Sequence, residues 1–449
     1  MLPIRHLTLY GFVLVVLVAL SGQAFATSAN TVAVGNCTKF PAYATIQLAV
    51  NAVPAGGTVK VCPGSYPEQV MINKSLTLIG TGPTASTVVA PGGGLSVNGK
   101  DIFGNSIAAQ IFVEDAASVT ISHMVVDGAN GNVMSCGIDP MGIYFQNSSG
   151  VITDNAVRNV LYPTGYQGCQ GGLAINVEAN VGSSAVTVSN NSVRNYDKNG
   201  ITASGPGVLS GAPKVTVTGN TVVGAGPITV TGQNGIQIGY SAQGTVQNNY
   251  VVDDIYINPP NCSTSGIPQY CYAASGILIY DSEFIAVADN IVESTQFGIV
   301  PDSDAYGDAN HTVIQKNTVI GTQSLYGGAP GLYYGDAIDL CSNNNQAIGN
   351  IIYGSSMDAI HLDDSCGPAT TGSGNYVESN TINEACAGIL IGPLSSGNTI
   401  PLSGTGVNTF LNVDNTILAN SDVCTPTLGP TGKGRAKHLR PSPYKPNRN

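Results

Sequence analysis

"ITDNAV" (152–157), "VSNNSV" (188–193), "VTGNTV" (217–222), "VQNNYV" (246–251) and "VADNIV" (287–292) are one phrase written five times. Each copy runs apolar, two spacers, asparagine, one spacer, apolar. The phrase continues as "IQKNTV" (314–319) and "VESNTI" (377–382), as "AIGNII" (347–352) with Ala347 in the first apolar place, and as "ISHMVV" (121–126) with Met124 in the asparagine slot. A second phrase, "GIYF" at Gly142, "GLAI" at Gly172, "GITA" at Gly200, "GIQI" at Gly235, "GILI" at Gly276 and Gly388 and "GIVP" at Gly298, precedes most copies. Both phrases alternate with period two and are separated by turn residues, the mark of short strands. With no helices between them they cannot form βαβ units. Their backbone groups are satisfied if each strand lies beside its own copy one turn later, which is a solenoid. The recurring asparagines are expected in turns, where their amides bond the neighbouring coil.

A solenoid needs covered ends. "ATIQLAVNAV" (44–53) places Ile46, Ala49, Val50 and Val53 on the stripe of a short amphipathic helix that would seal the first coil. Residues 398–424 are expected to close the other end. The fold class is therefore all-β, a single-domain parallel solenoid with a short N-terminal capping helix.

The segment 1–26 carries Arg5, an apolar run from Gly11 to Leu20 and the small residues "AFA", which predicts a secretory signal cleaved after Ala26. That run is too short to span a bilayer. Export makes the 10 cysteines read as disulfides. In sequence order they pair as Cys37 with Cys62, Cys136 with Cys169, Cys262 with Cys271, Cys341 with Cys366 and Cys386 with Cys424, although order alone leaves other connectivities open. No CxxC or Cys/His spacing calls for structural zinc. The 27 acidic residues all lie between Glu68 and Asp422, whereas six of the 16 basic residues crowd into an acid-free, Pro-rich tail. An acidic body repels nucleic acid and anionic membranes. The chain thus divides into a signal (1–26), the solenoid (27–424) and a disordered basic tail (425–449). It is expected to be a secreted monomer with no nucleic-acid partner and no membrane span.

"ATIQLAVNAVPAGGTVKVCPGSYPEQVMINKSLTLIG" (44–80) resembles the opening of right-handed parallel β-helix proteins of the pectin-lyase-like superfamily, and pectin methylesterases begin in a similar way. The resemblance in repeat pattern covers most of residues 40–400 and implies a right-handed parallel β-helix. It implies no single activity, because the superfamily hosts lyases, hydrolases, esterases, epimerases and adhesins. The esterase motifs resembling QDT and DFIFG are missing, and the chain has no tryptophan. Arg158 and Arg194, each in "VRN", occupy equivalent places in successive coils and read as a ladder rather than a lyase base. The polygalacturonase phrases NTD and GHG are also absent. "AYGDANH" (305–311) only echoes an epimerase phrase.

Aligning Gly276, Gly298, Ala337 and Ala359 gives the mechanistic expectation. Alternation then points two columns outward, one through Leu278, Val300, Asp339 and His361 and one through Tyr280, Asp302, Cys341 and Asp363. Asp339 should lie beside His361, with Asp302 and Asp363 one column over. Stacked carboxylates repel unless a cation, a shared proton or a function compensates them. Glycoside hydrolysis uses a carboxyl pair, and adjacent coils supply the spacing of such a pair. The candidate catalytic residues are Asp302, Asp339 and Asp363, with His361 orienting them. Tyr280, Tyr333 and Tyr334 are candidate sugar platforms, since aromatic faces suit sugar rings. No cofactor is required, but Ca²⁺ at Asp302, Asp304 and Asp308 in "DSDAYGD" is an option. The sequence therefore reads first as a polysaccharide hydrolase with a lateral groove. The alternative is a non-catalytic cell-surface solenoid that binds glycans and is stabilised by calcium.

Overall fold

The computed structural model describes residues 29–82, 85–258, 272–304, 307–322, 335–364, 366, 371–421 and 424, with two-residue strand segments at 325–326, 329–330 and 440–441. The signal segment, Cys262, Cys271, Tyr333, Tyr334 and most of the tail lie outside the described residues.

The two sequence phrases wind into a right-handed parallel β-helix. A representative coil runs Lys214–Thr218, turns at Asn220, continues as Thr221–Ile228, and returns through Asn234–Gly239 before Gln243–Gln247 begins the next. Each of these strands pairs in parallel with its counterpart one coil on. Three sheets result. The first stacks Gly150–Thr153, Ala185–Ser189, Lys214–Thr218, Gln243–Gln247 and their successors to Tyr376–Glu378. The second follows the asparagine turn. The third contains the Gly-Ile phrase, from Ser106–Glu114 through Asp358–Leu362 to the end of Thr381–Ile391. Val and Ile from all three sheets form one continuous core down the axis.

Asparagines make an unbroken ladder. From Asn155 through Asn191, Asn220, Asn249, Asn290, Asn317, Asn350 and Asn380 to Asn408, each Nδ2 donates to the next Oδ1 at 2.9–3.1 Å. The same Oδ1 also accepts the preceding asparagine's backbone N–H, as in Asn249 N to Asn290 Oδ1 at 3.0 Å. Met124 opens the series by donating its N–H to Asn155 Oδ1 at 3.0 Å. From Asn155 to Asn380 the left-handed turn residue is the one before the asparagine, for example Asp154, Asn190, Asn248 and Lys316. Asparagine therefore serves here by its amide and not by its tolerance of positive φ. Asn408, which the repeat phrase does not flag because Thr405 fills its first apolar place, shows that a further coil follows Asn380 as Thr409–Ala419.

The N-terminal cap is the helix Ile46–Ala52, which buries Ile46, Ala49 and Val50. Thr45 Oγ1 accepts from Leu48 N at 3.1 Å, and the Glu68 carboxylate takes the Ile46 and Gln47 N–H groups at 2.8 and 2.9 Å. Those bonds satisfy donors that a helix start leaves open. Disulfides join Cys37–Cys62, Cys136–Cys169, Cys341–Cys366 and Cys386–Cys424, as sequence order suggested. Arg158 and Arg194 are register partners, and Arg158 Nε pairs with Asp127 at 2.7 Å. Among the described residues no helix is long and apolar enough to cross a membrane. The tail segment Arg440–Pro441 pairs in parallel with Tyr272–Ala273.

Candidate functional site

The third sheet sets the register expected from sequence. Leu278 pairs with Val300 and Tyr280 with Asp302. Asp302 bridges to Cys341, and Asp339 pairs with His361. The two outward columns therefore exist, and Asp302 and Asp363 flank Cys341 in the second.

A third outward column was not anticipated. The glycine of the Gly-Ile phrase turns a corner so tight that a Cβ at Gly276 would stand 2.4 Å from Val292 Cγ1, and one at Gly298 2.6 Å from Val319 Cγ1. The corner breaks the period-two alternation, so the residue before the glycine faces outward together with the residue three later. Asn199 Nδ2 accordingly reaches Thr202 Oγ1 at 3.0 Å. In the later coils that place belongs to Asp336 and Asp358, the first letters of the repeated "DAIDL" and "DAIHL". The repetition itself was the available signal.

The result is a knot of acids around one imidazole. His361 Nδ1 stands 3.5 Å from Asp336 Oδ2, 3.8 Å from Asp339 Oδ1 and 3.8 Å from Asp363 Oδ2. Asp336 Oδ1 accepts from Asp358 N at 3.0 Å. The Cys341–Cys366 disulfide packs on the knot, with Cys341 Sγ 3.3 Å from Asp339 Oδ2 and Cys366 Sγ 3.1 Å from Asp363 Oδ2. A disulfide sulfur carries no proton, so these are contacts and not hydrogen bonds. Asp339 Oδ1 accepts none either.

The knot is closed. Asp302, Asp336, Asp339, Asp358, His361 and Asp363 are each 0–4% exposed. Sequence alternation correctly turned Asp339 and His361 away from the core, but it could not show that this outer face is itself covered. Tyr240, Ala273, Leu278, Tyr280, Phe297, Val300 and the disulfide form a second apolar cluster there. Burial, and then Asp363, push the Asp339 carboxyl well above the usual carboxylate range. Burial and Asp336 do the same to Asp358. For His361, burial acts to lower the pKa. Asp363, Asp336 and Asp339 outweigh it and hold the imidazole well above its ordinary value.

The remaining candidates separate. Tyr280 is only 1% exposed, lies edge-on to Tyr240 and donates its hydroxyl to Asp304, so it offers no face to a sugar. Asp308 is exposed, whereas Asp302 is buried on its strand. The donor groups brought within 4.8 Å of one another are instead Asp336–Asp339–His361 and Asp339–Cys341–Asp363–Cys366.

The first sheet presents a different surface. Its outer face carries a depression of about 400 Å³ lined by Thr187, Lys214, Thr216, Gln243 and Phe284, among others. Thr187 and Thr216 are register partners on successive coils. Phe284 is 58% exposed and stacks on His311 with ring centroids 4.8 Å apart, and His311 Nδ1 faces Glu283 at 3.6 Å. Neither Phe284 nor this depression was singled out by the sequence, since an isolated aromatic outside the acidic coils carries no pattern.

A family model described as a right handed beta helix region matches residues 110–307. No curated protein matches the chain by sequence. Among solved structures, the chain is similar to a GH136 lacto-N-biosidase from Eubacterium ramulus, with 11% identity and a TM-score of 0.50. That match covers 83% of this chain, which spans 64% of the length of the biosidase. It is also similar to a surface protein and adhesin of Streptococcus pneumoniae, at 12% identity and TM-score 0.43, over 84% of this chain and 95% of the other. The catalytic unit of a GH87 alpha-1,3-glucanase from Streptomyces thermodiastaticus gives 16% identity and TM-score 0.46, over 84% and 64% of the two chains. What the chain shares with the lacto-N-biosidase is the right-handed parallel β-helix.

Proposed function

We propose that this protein is an extracellular carbohydrate-binding β-helix that holds a glycan along the open face of its first sheet. The observation that carries the reading is a contrast in access. The acids expected to meet a polymer are closed over, whereas the depression beside Phe284 is open and lined with hydroxyl, amide and ammonium donors. A sugar ring has an apolar face and a polar rim, and an exposed aromatic beside such donors matches both. Lys214, in a lining that contains no acid, favours glycans with carboxylate or sulfate groups. Four disulfides fit an oxidising compartment, which supports export by the signal segment.

A second reading keeps the polysaccharide hydrolase. Oxygens of Asp339 and Asp363 lie within 4.8 Å of each other across adjacent coils, slightly closer than the roughly 5–5.5 Å of a retaining carboxyl pair. It requires the buried acids to become accessible before a polymer can enter. One experiment separates the two. The mature chain is applied to a panel of neutral and anionic polysaccharides, with both retention and released reducing ends measured. Retention lost in Phe284→Ala and Lys214→Ala, with no product, supports the binding solenoid. Product formation abolished by Asp363→Asn and untouched by Phe284→Ala overturns it in favour of the hydrolase.

A further inference from the structure

We propose that the buried knot on the third sheet is a divalent-cation site, with Asp336, Asp339 and His361 Nδ1 as ligands and Zn²⁺ or Mn²⁺ as the ion. The inference does not rest on the carbohydrate reading.

Three observations lead to it. First, Asp339 is fully buried and neither of its oxygens receives a hydrogen bond, Oδ2 facing a disulfide sulfur and Oδ1 facing into the knot. Taking a carboxylate out of water without a partner is costly enough that proteins almost always supply one. Second, His361 Nδ1 does not close on any single carboxylate. A charge-assisted N–H to carboxylate bond closes to about 2.7–2.9 Å. Here the nitrogen stands back at 3.5–3.8 Å from three different carboxylates. Third, no described lysine or arginine forms an ion pair with Asp336, Asp339 or Asp358.

Donors that surround a common point without touching one another are the arrangement a cation organises. The Asp336, Asp339 and His361 donor atoms lie within 4.8 Å of one another, a spread compatible with ligands about 2.0–2.6 Å from one ion. The donor chemistry selects the metal. Oxygen-only sites suit Ca²⁺ and Mg²⁺, whereas an imidazole among carboxylates suits Zn²⁺ or Mn²⁺. The disulfide excludes thiolate ligation and, with the surrounding apolar cluster, walls the site from water. The strand register makes the site rigid, because Asp339 and His361 are paired neighbours and Asp336 lies just before the strand that carries Asp339. A bound ion would also withdraw Asp339 from acid–base duty, so loading bears directly on the hydrolase reading.

The test uses the full mature chain, stripped with chelator and dialysed against Zn²⁺, Mn²⁺, Ca²⁺ or Mg²⁺ singly. Bound metal is measured by elemental analysis and stability by thermal unfolding. The expected result is one Zn²⁺ or Mn²⁺ per chain and a rise of a few degrees in melting temperature. Asp339→Asn and His361→Gln should each weaken that binding at least tenfold, with Asp308→Asn unchanged. Asp339→Asn keeps the side-chain shape, and its unshifted circular dichroism would certify the fold. If Asp339→Asn proved unstable, His361→Gln alone would decide. The proposal is overturned if the stripped wild type retains no ion and shows no thermal shift. It is equally overturned if binding is confined to Ca²⁺, survives His361→Gln and is lost in Asp308→Asn, which would move the cation to the loop.

Discussion

The molecule stacks polar side chains on successive coils in two places, with opposite outcomes. In the asparagine ladder every member carries both a donor and an acceptor; the Asn290 amide, for example, donates to Asn317 Oδ1 and to Val246 O and accepts two bonds from Asn249. In the knot around His361 the stacked groups are carboxyls, the imidazole stands 3.5–3.8 Å from three of them, and neither oxygen of Asp339 receives a hydrogen bond. Both columns are buried to the same degree. The β-helix therefore tolerates burying a polar column when the residue type is self-complementary. It leaves a deficit of positive charge or of protons when it is not.

The sharpest way to break this contrast is to plant a carboxylate in the ladder. In Asn290→Asp the acceptor for Asn249 remains, but the donor to Val246 O and Asn317 Oδ1 is lost. Acceptors then face acceptors in a dry site, at a cost of roughly 3 kcal/mol or more near neutral pH. Urea unfolding should show a large drop in midpoint that shrinks in acid, where the new carboxyl carries a proton. A midpoint within error of wild type would mean the ladder is incidental to stability.

A similar but smaller effect should already exist in the wild type, at a third buried acid. Glu178 accepts from Tyr144 Oη at 2.7 Å and Asn176 Nδ2 at 3.0 Å, yet burial and Asp101 raise its pKa to about 7. Asp197, raised mainly by burial to about 6, behaves alike. A raised carboxyl holds its proton in the native state after the unfolded chain has released it. Stability is therefore lost as pH rises from near 4.5 to about 7 and is level above. For Glu178 the span is on the order of 3 kcal/mol, an upper figure because Asp101 titrates with it. Melting temperature against pH should fall over this window, and Glu178→Gln should flatten most of the slope.

Asp339→Asn inverts the sign of the ladder mutation. In the presence of chelator it replaces an acid lacking donors with an amide that brings two, and the protein should gain about 1–2 kcal/mol. A loss of stability without metal would show that Asp339 already has its charge balanced by protons within the knot.

How much of this was legible follows from the same geometry. The pairing of Asp339 with His361 could be read because parallel stacking of equal phrases admits one register, and a one-residue slip would turn Ile338 and Ile360 out of the core. Asp336 and Asp358 escaped because the corner at Ala337 and Ala359 interrupts the alternation on which the reading depended. The closure of the face escaped for another reason. Tyr240, Ala273 and Phe297 are buried together on that outer side, and no local pattern encodes their burial. The N-terminal helix was legible because its stripe of Ile46, Ala49, Val50 and Val53 lies within one short segment.

The smallest expected effect tests the open surface. Phe284 is mostly exposed, so Phe284→Ala should shift stability by no more than about 0.5 kcal/mol. Its loss nevertheless removes the one aromatic ring among the described residues lining the depression and unstacks His311. Stacking and apolar contact of a sugar on one ring are comparable to other aromatic contacts, about 0.5–1.5 kcal/mol. Affinity for an anionic oligosaccharide should therefore fall roughly three- to tenfold by calorimetry, with the unfolding curve unmoved. Lys214→Ala should add a loss that vanishes in high salt, because an exposed charge is screened there whereas the ring contact is not. If Phe284→Ala bound as tightly as wild type, the exposed ring would have no part in recognition, and the contrast between a closed acidic face and an open binding face would lose its second half.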